Sequence, residues 1–529
     1  MIHAVGDLLK RAATNRPDKR ALIYKNEALT YKEIYMQAQR LAATLSRLGV
    51  DKGHRVCVYL EKRPEKVISI FAISLAGAVF VPIRRLSTSA QALYIVDHCQ
   101  ATLLITTSSR LAAFKGKLRR LKAVITVDTP ESLDPGCPVI SWNEATLPDV
   151  QLPASPSCIA SDIASILYTS GSTGQPKGVV LSHRNIISGA RIVSEYLKIT
   201  EDDRLLSILT FGFDYGLNQL TMSFLKYAEL VLFDYLFPKD IIKMVEKYRI
   251  TGLAAVATTW IQLLQIPWGD SMQSLRYITN SGGAIPVDGV RELRRRIPDA
   301  NIYLMYGLTE AFRSTYLDPS MVDQRPDSIG KAVPGEEIMI LDSEDQPVGP
   351  GETGELVHRG VLVAQGYWQD HEATRERFRK NPLQLSGVTI DETVVYSGDY
   401  VKIDEEGFLY FQGRKDEMIK SAGNRISPTE VEEVLYGSGM VSQVVALGIP
   451  HDIYGQAVCV VLSLVNNKST EQDILTFCRK NMPPYMVPQK IIIWDRLPEN
   501  TSGKLDRAAI RRQVLDKEKH RRMQILKSI

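Results

Sequence analysis

Ile163-Ala164-Ser165-Ile166-Leu167-Tyr168-Thr169-Ser170-Gly171-Ser172-Thr173-Gly174-Gln175-Pro176-Lys177-Gly178 passes from a mostly apolar run into a loop of glycines and hydroxyls. Ile163 to Tyr168 reads as a buried strand. The decapeptide directly after it suits a polyphosphate. Its glycines let the backbone approach closely, its amides and hydroxyls can satisfy phosphate oxygens, and Lys177 supplies compensating charge. It is not a Walker loop, because the Gly-Lys-Thr order is absent and Pro176 interrupts the expected spacing.

Outward from this loop, helical and strand patterns alternate, the sequence mark of a parallel α/β fold. Tyr31 to Leu48 repeats apolar residues at helical spacing, opens with a Thr30/Glu33 capping box and stops before Gly49. Arg55 to Leu60 and Ala101 to Thr106 read as strands, and Leu152 to Ser161 as a linker. Val67 to Ile83 is uncharged and apolar, but Ser69, Ser74, Gly77 and Pro82 interrupt it and it is short for a span. It reads as a buried helix running into a core strand. Asp404 to Gly407 is a turn, followed by a strand at Phe408 to Gln412, and a new unit begins in this stretch. The chain beyond it suffices for a small α+β domain, with a helix at Pro428 to Tyr436 and strands near Val444 to Gly448 and Ala457 to Val465.

The chain has 529 residues, 44% of them apolar and 23% charged, which suits a multidomain globular enzyme and excludes wholesale disorder or a multispanning membrane protein. Its formal charge of +4 is concentrated at the end, where Arg507 to Ile529 holds eight Lys or Arg against Asp516 and Glu518. That tail is either a solvated helix or a contact for an acidic carrier protein, an anionic membrane or a phosphate-rich ligand. It lacks the aromatic interleaving of a nucleic-acid surface, so no nucleic-acid partner is expected. The six scattered cysteines form no CxxC pair, and Met1 to Lys10 carries no secretory pattern. Both point to a reducing cytoplasm and no membrane span.

The decapeptide Thr169 to Gly178 resembles the signature of the adenylate-forming superfamily of acyl-CoA synthetases, amino-acid adenylation domains and luciferases. Further segments agree in order: Ser281-Gly282-Gly283-Ala284, Tyr306-Gly307-Leu308-Thr309-Glu310, Gly354-Glu355-Leu356, Tyr396-Ser397-Gly398-Asp399, Gly413 to Glu432, and Thr501-Ser502-Gly503-Lys504. The resemblance runs from about Leu29 to Arg507. It implies an α/β fold with a large N-terminal adenylation domain, residues 1–414, its β-sheets flanked by helices, and a small mobile α+β domain, residues 415–529. The reaction it implies joins a carboxylic acid to ATP as acyl-AMP, then passes the acyl group to the thiol of CoA or of a phosphopantetheine arm on an acyl or peptidyl carrier protein.

The resemblance also implies roles. Thr169, Ser170, Gly171, Ser172, Thr173, Gly174 and Lys177 would hold phosphates, and Gly283, Ala284 and Tyr306 the adenine. Tyr306 offers an aromatic face for stacking. Thr309 would contact the α-phosphate, and Glu310 would ligate Mg²⁺, a hard cation that takes one or two carboxylates beside phosphates. Asp399 would accept the ribose hydroxyls, reinforced by Arg414, and Lys415 would be the hinge. Lys504 is similar to the catalytic lysine that stabilises charge as the carboxylate attacks phosphorus. In the family the small domain rotates between the two half-reactions.

For the acid, Phe213, Asp214, Gly282 and Arg313 are the candidate contacts. Asp214 stands where many acyl-CoA synthetases have histidine. It either pairs an amino group of the substrate, as in a stand-alone amino-acid adenylation enzyme, or bonds local backbone. Arg313 either reads a second carboxylate or polar group or pairs a surface acid. Leu304 and Met305 add bulk that disfavours a long straight chain. The Phe-Asp-Tyr-Gly segment is most similar to acyl-CoA ligases of the exosortase-associated type.

Overall fold

The computed structural model describes residues 2–128, 134–147, 158–169, 176–415, 417–421, 424–451, 455–466, 469–501 and 503–527. Two β-sheets dominate the first part. One has seven strands, parallel except for its last hairpin, in which Ile163–Thr169 returns antiparallel as Lys177–Ser182. The other has nine strands, with Arg204–Ser207, Gly252–Ala255, Tyr277–Asn280 and Asn301–Tyr306 running parallel at its centre. Helices cover these sheets. Pro64–Leu75 is buried on most sides and leads into the core strand Val79–Pro82, so the apolar Val67 to Ile83 stretch is interior packing. No helix among the described residues is long and apolar enough to cross a membrane.

Local rules explain much of this. Helix Tyr31–Arg47 starts on the Thr30/Glu33 capping box, with Thr30 Oγ1 accepting from the Glu33 amide and the Glu33 carboxylate accepting in return. Tyr31, Ile34, Ala38, Leu41 and Leu45 share its buried face. The Leu152 to Ser161 linker falls partly outside the described residues.

A third, antiparallel sheet pairs Glu337–Leu341, Thr353–Arg359, Thr393–Ile403 and Leu409–Arg414. The strand after the Asp404–Gly407 turn therefore stays with this sheet and runs to Arg414, two residues beyond the expected Gln412. The remaining strands form a separate small sheet, with Val441–His451 and Gly455–Leu464 at its heart and helix Pro428–Tyr436 packed on it. The architecture is mixed α/β, a large N-terminal part and a smaller C-terminal domain, as expected.

Gly330 ties the edge of the nine-stranded sheet to the third sheet through an antiparallel bridge to Leu409. Its φ is +80°, and a Cβ there would overlap the Tyr316 carbonyl. Both the backbone conformation and the space demand glycine. Gly330→Ala is expected to destabilise the protein by about 2 kcal/mol or more. A denaturant melt of the variant with an unchanged midpoint would contradict this.

Candidate active site

The site forms beyond the carboxyl end of the central strand Asn301–Tyr306, where parallel α/β sheets open crevices between the following loops. Tyr306 closes this strand. Its hydroxyl donates to Asp399 Oδ2 at 2.6 Å, and its ring lies 6.2 Å from that of Phe411. Asp399 faces Arg414 in register across two strands, with Arg414 Nε 3.6 Å from Oδ1. Burial raises the Asp399 carboxyl above its ordinary pKa, while Arg414 and the Tyr306 hydroxyl pull it back. Oδ1 has no hydrogen-bond partner among the described residues. A buried carboxylate oxygen left open beside an aromatic face fits a ligand that brings hydroxyl donors and a flat ring.

A short 3₁₀ turn, Thr309–Ala311, follows Tyr306 and aims two side chains differently. Glu310 turns towards the hairpin of the glycine-hydroxyl loop. Tyr367 donates its hydroxyl to Glu310 Oε1 at 2.7 Å, and Lys177 Nζ lies 5.4 Å from the Tyr367 ring centre. Thr169 pairs with Lys177 at the root of that hairpin. Ser170, Gly171, Ser172, Thr173 and Gly174 lie outside the described residues. The described residues contain no cluster of three or more His, Cys, Asp or Glu suited to a metal. Glu310 with phosphate oxygens is the donor set that Mg²⁺ accepts.

Thr309 turns the other way, into the interior. Its hydroxyl donates to Asp214 Oδ1 at 2.9 Å, and Arg313 Nη1 lies 3.4 Å from Asp214 Oδ2. The Asp214 and Arg313 side chains are 2% and 1% exposed, so this is an interior ion pair. Asp214 opens helix Asp214–Lys226, but its carboxylate bonds neither the local backbone nor an open pocket. Arg313 correspondingly pairs with a buried acid and not a surface one.

Lys504 enters this centre from the small domain. A Cβ added at Gly282 would collide with Lys504 Cε, and Nζ sits 4.8 Å from the Phe213 ring centre. Gly282 has φ +83°, which supplies the turn and clears space for the lysine. Gly283 accepts from the Asn280 side chain at 2.8 Å, and Gly283 and Ala284 are exposed on the same turn. Polar contacts from the large domain dock the loop carrying Lys504. Arg84 Nη1 donates to Thr501 Oγ1 at 3.1 Å, Thr258 donates its hydroxyl to the Gly503 carbonyl, and Gln262 donates to Glu499 at 3.4 Å. Burial lowers Lys504 to about 8, with Asp214 resisting and Arg84 and Arg313 assisting. Burial likewise lowers Arg84 to about 10.

Lys415 follows Arg414. Its amide donates to the Gly398 carbonyl and its ammonium meets Glu355 Oε2, both at 2.8 Å, while Glu355 Oε1 accepts from the Gly398 amide. Lys415 thus sits directly after Leu409–Arg414, the last strand of the third sheet. Asp416 and Gly423 lie outside the described residues.

The structure therefore gathers Phe213, Asp214, Gly282, Thr309, Arg313 and Lys504 in one group, Tyr306, Asp399 and Arg414 in a second, and Glu310 with Lys177 in a third. All three radiate from the Tyr306–Arg313 segment. Sequence reasoning missed Arg84, Tyr367 and Thr258. Arg84 follows a core strand, Val79–Pro82, where a charged pair such as Arg84-Arg85 is a signal. Tyr367 and Thr258 carry no such mark.

Residues 9–368 match the AMP-binding enzyme family, and residues 430–504 match the AMP-binding enzyme C-terminal domain. The chain is 31% identical over 499 residues to a linear gramicidin synthase of Brevibacillus parabrevis, covering 93% of this chain but 6% of that protein. It is 27% identical over 544 residues to a long-chain-fatty-acid–CoA ligase of Salmonella typhimurium, covering 97% and 94% of the two chains. The crystal structure of an anthranilate CoA ligase in complex with anthranoyl-AMP superposes with a TM-score of 0.86 at 25% identity, covering 97% of each chain.

A lysine lowered to about 8 is charged below that pH and neutral above it. Any step that needs its charge should fade as pH rises through about 8. The kcat/KM for ATP should show this limb, and Lys504→Arg should move it to higher pH. A flat profile across that range in the wild-type enzyme would remove the charge requirement.

Proposed function

The chain belongs to the AMP-binding enzyme family and is an AMP-forming, acyl-CoA-synthetase-like ligase, and from this premise we propose how its own residues divide the reaction. It uses ATP with Mg²⁺, a carboxylic acid, and a thiol presented by CoA or by a phosphopantetheine arm. The observation that carries the assignment is the seat of Lys504 against Gly282, beside Phe213 and Asp214 and at the edge of the nucleotide-side residues.

In the first half-reaction a carboxylate oxygen of the acid forms a bond to the α-phosphorus as the bond to pyrophosphate breaks. Two anions must meet, so a fixed cation between them lowers the barrier. Lys504 holds that position, its ammonium kept in a partly dry site where its field is strong. Thr309 supports the α-phosphate side through its place between Asp214 and Glu310. Tyr306 stacks the adenine, Asp399 accepts the ribose hydroxyls with Arg414 behind it, and Gly283 and Ala284 line the base. The loop Thr169 to Gly174, with Lys177, cradles the outer phosphates. Glu310, with phosphate oxygens, would hold Mg²⁺, which would supply positive charge to offset that of the leaving pyrophosphate.

In the second half-reaction the thiol sulfur attacks the acyl carbon and AMP leaves with the bonding pair. Lys504 then has no attack to assist. We place the domain boundary between Arg414 and Lys415 and assign Lys415 as the pivot, whose contacts to Glu355 and Gly398 would re-form as the small domain turns. A stand-alone amino-acid adenylation enzyme is disfavoured because both oxygens of Asp214 are already engaged, by Thr309 and Arg313. The likeness to exosortase-associated ligases rests on the Phe-Asp-Tyr-Gly segment alone. Six free thiols suit a cytoplasmic enzyme, and nothing in the basic tail calls for a nucleic acid.

Lys504→Ala should cut pyrophosphate release about 10²-fold or more while thiol transfer from preformed acyl-AMP falls far less. Equal losses in the two assays would refute the assignment. Gly282→Ala should reproduce the adenylation defect with Lys504 intact, because the added methyl occupies the lysine's seat; a normal rate would show that Lys504 does not work from there.

A further inference from the structure

Arg313 carries more hydrogen-bonding capacity than this protein uses. A guanidinium has five N–H donors in a fixed planar fork and stays charged when buried. Here Nη1 makes one long contact, 3.4 Å, to Asp214. Nε and Nη2 are buried and have no hydrogen-bond partner among the described residues. Leaving such donors unpaired in an interior costs on the order of 1–3 kcal/mol per group. These two nitrogens form the edge of the fork that matches the two oxygens of one carboxylate.

The charges around Arg313 point the same way. Arg84 and Arg313 are buried cations which, with Lys504, gather about Asp214, and both act on the ionisation of Lys504. Arg84 is spoken for by the Gly212 carbonyl and Thr501, and Lys504 by the reacting carboxylate and phosphate. Asp214, the carboxylate at their centre, cannot balance all three. The net charge of this group is positive, with Asp214 paired to Arg313 and Asp399 also acting on Lys504.

Position and size are also fixed. Phe312, just before Arg313, takes φ +49°, a conformation uncommon for a bulky residue, and its ring lies so close to Gly189 that any side chain there would strike it. Arg313 is thereby clamped with its guanidinium 4.6 Å from the Tyr215 ring centre. Met305 is buried, with the Tyr196 hydroxyl 3.0 Å from its sulfur, and Tyr196 stacks on Tyr316 at 4.2 Å. With the buried Leu304 these side chains make a bulky, closely packed wall. Gln219 Oε1, one turn along the helix from Tyr215, is also buried without a hydrogen-bond partner among the described residues.

Building on the adenylation reading above, we propose that the acid activated here is a compact dicarboxylic acid, whose second, non-reacting carboxylate is gripped by Nε and Nη2 of Arg313. The reacting carboxylate lies towards Lys504 and Gly282, and the second is neutralised by the guanidinium, so it does not oppose the attack on phosphorus.

The test is pyrophosphate release on the full chain with matched acids: succinate against butyrate, glutarate against valerate, phthalate against benzoate. The diacid of at least one pair should have the higher kcat/KM by about 10-fold or more. In Arg313→Gln that preference should collapse towards unity, mainly through a raised KM for the diacid, with Arg313→Lys restoring part of it. Retention of the thermal upshift by ATP certifies that the variants fold. If the monoacids match or exceed the diacids in the wild type, or if Arg313→Gln depresses both members of a pair alike, Arg313 is a structural partner of Asp214 and the proposal fails. No release with any acid would instead overturn the adenylation reading, and this proposal with it.

Discussion

In the proposed mechanism Lys504 acts only where the end of its side chain reaches, so the chemistry would depend on how the loop carrying it is held against the large domain. The polar contacts that hold it come from two separate places, Arg84 after a core strand, and Thr258 and Gln262 on the helix Ala257–Leu264. These contacts are polar. An interface of that kind positions a group firmly yet separates without exposing a large apolar surface. That suits the proposed role of this loop, delivering a cation for one step and then withdrawing. Gly282 completes the arrangement, since a side chain at that turn would deny the lysine its seat.

The same centre concentrates charge where burial makes charge costly. Asp214 is shared among Thr309, Arg313 and the field of Lys504, while Asp399 is supported by Tyr306 and Arg414. Each carboxylate keeps company, but the guanidinium of Arg313 and Oδ1 of Asp399 retain unmet hydrogen-bonding capacity. Structural ion pairs are normally satisfied on all sides. Incomplete satisfaction at two points flanking the Tyr306–Arg313 segment marks where ligand atoms are expected to finish the network. Burial also lowers Lys504 towards neutral pH, so its charge answers to its surroundings.

Much of this was legible in the chain as a string. The helix cap at Thr30 and Glu33, the strand before Thr169, the turn at Ser281 to Ala284 and the strand ending at Tyr306 depend on neighbours a few residues away. Backbone propensities and glycine conformations are local, and a sequence records local constraints directly. The ordered motifs announced the family for the same reason. The extent of the strand after Asp404–Gly407 was harder. It reads as the start of a new unit, but hydrogen bonding to Thr393–Ile403 keeps it in the third sheet as far as Arg414.

What the sequence by itself determined is the class of reaction, the α/β architecture and which residue types are present to carry phosphate, base and metal. What only the tertiary structure decided is which of those side chains face one another. Asp214 and Arg313 are 99 residues apart, Glu310 and Tyr367 are 57 apart, and Arg84 meets Thr501 across 417. No spacing rule encodes such pairs, because a side chain's partner is set by how whole elements pack and not by its own neighbourhood. Asp214 shows the consequence: in the string it could be read as an ammonium ligand, and the fold turned it into the counter-ion of a buried arginine.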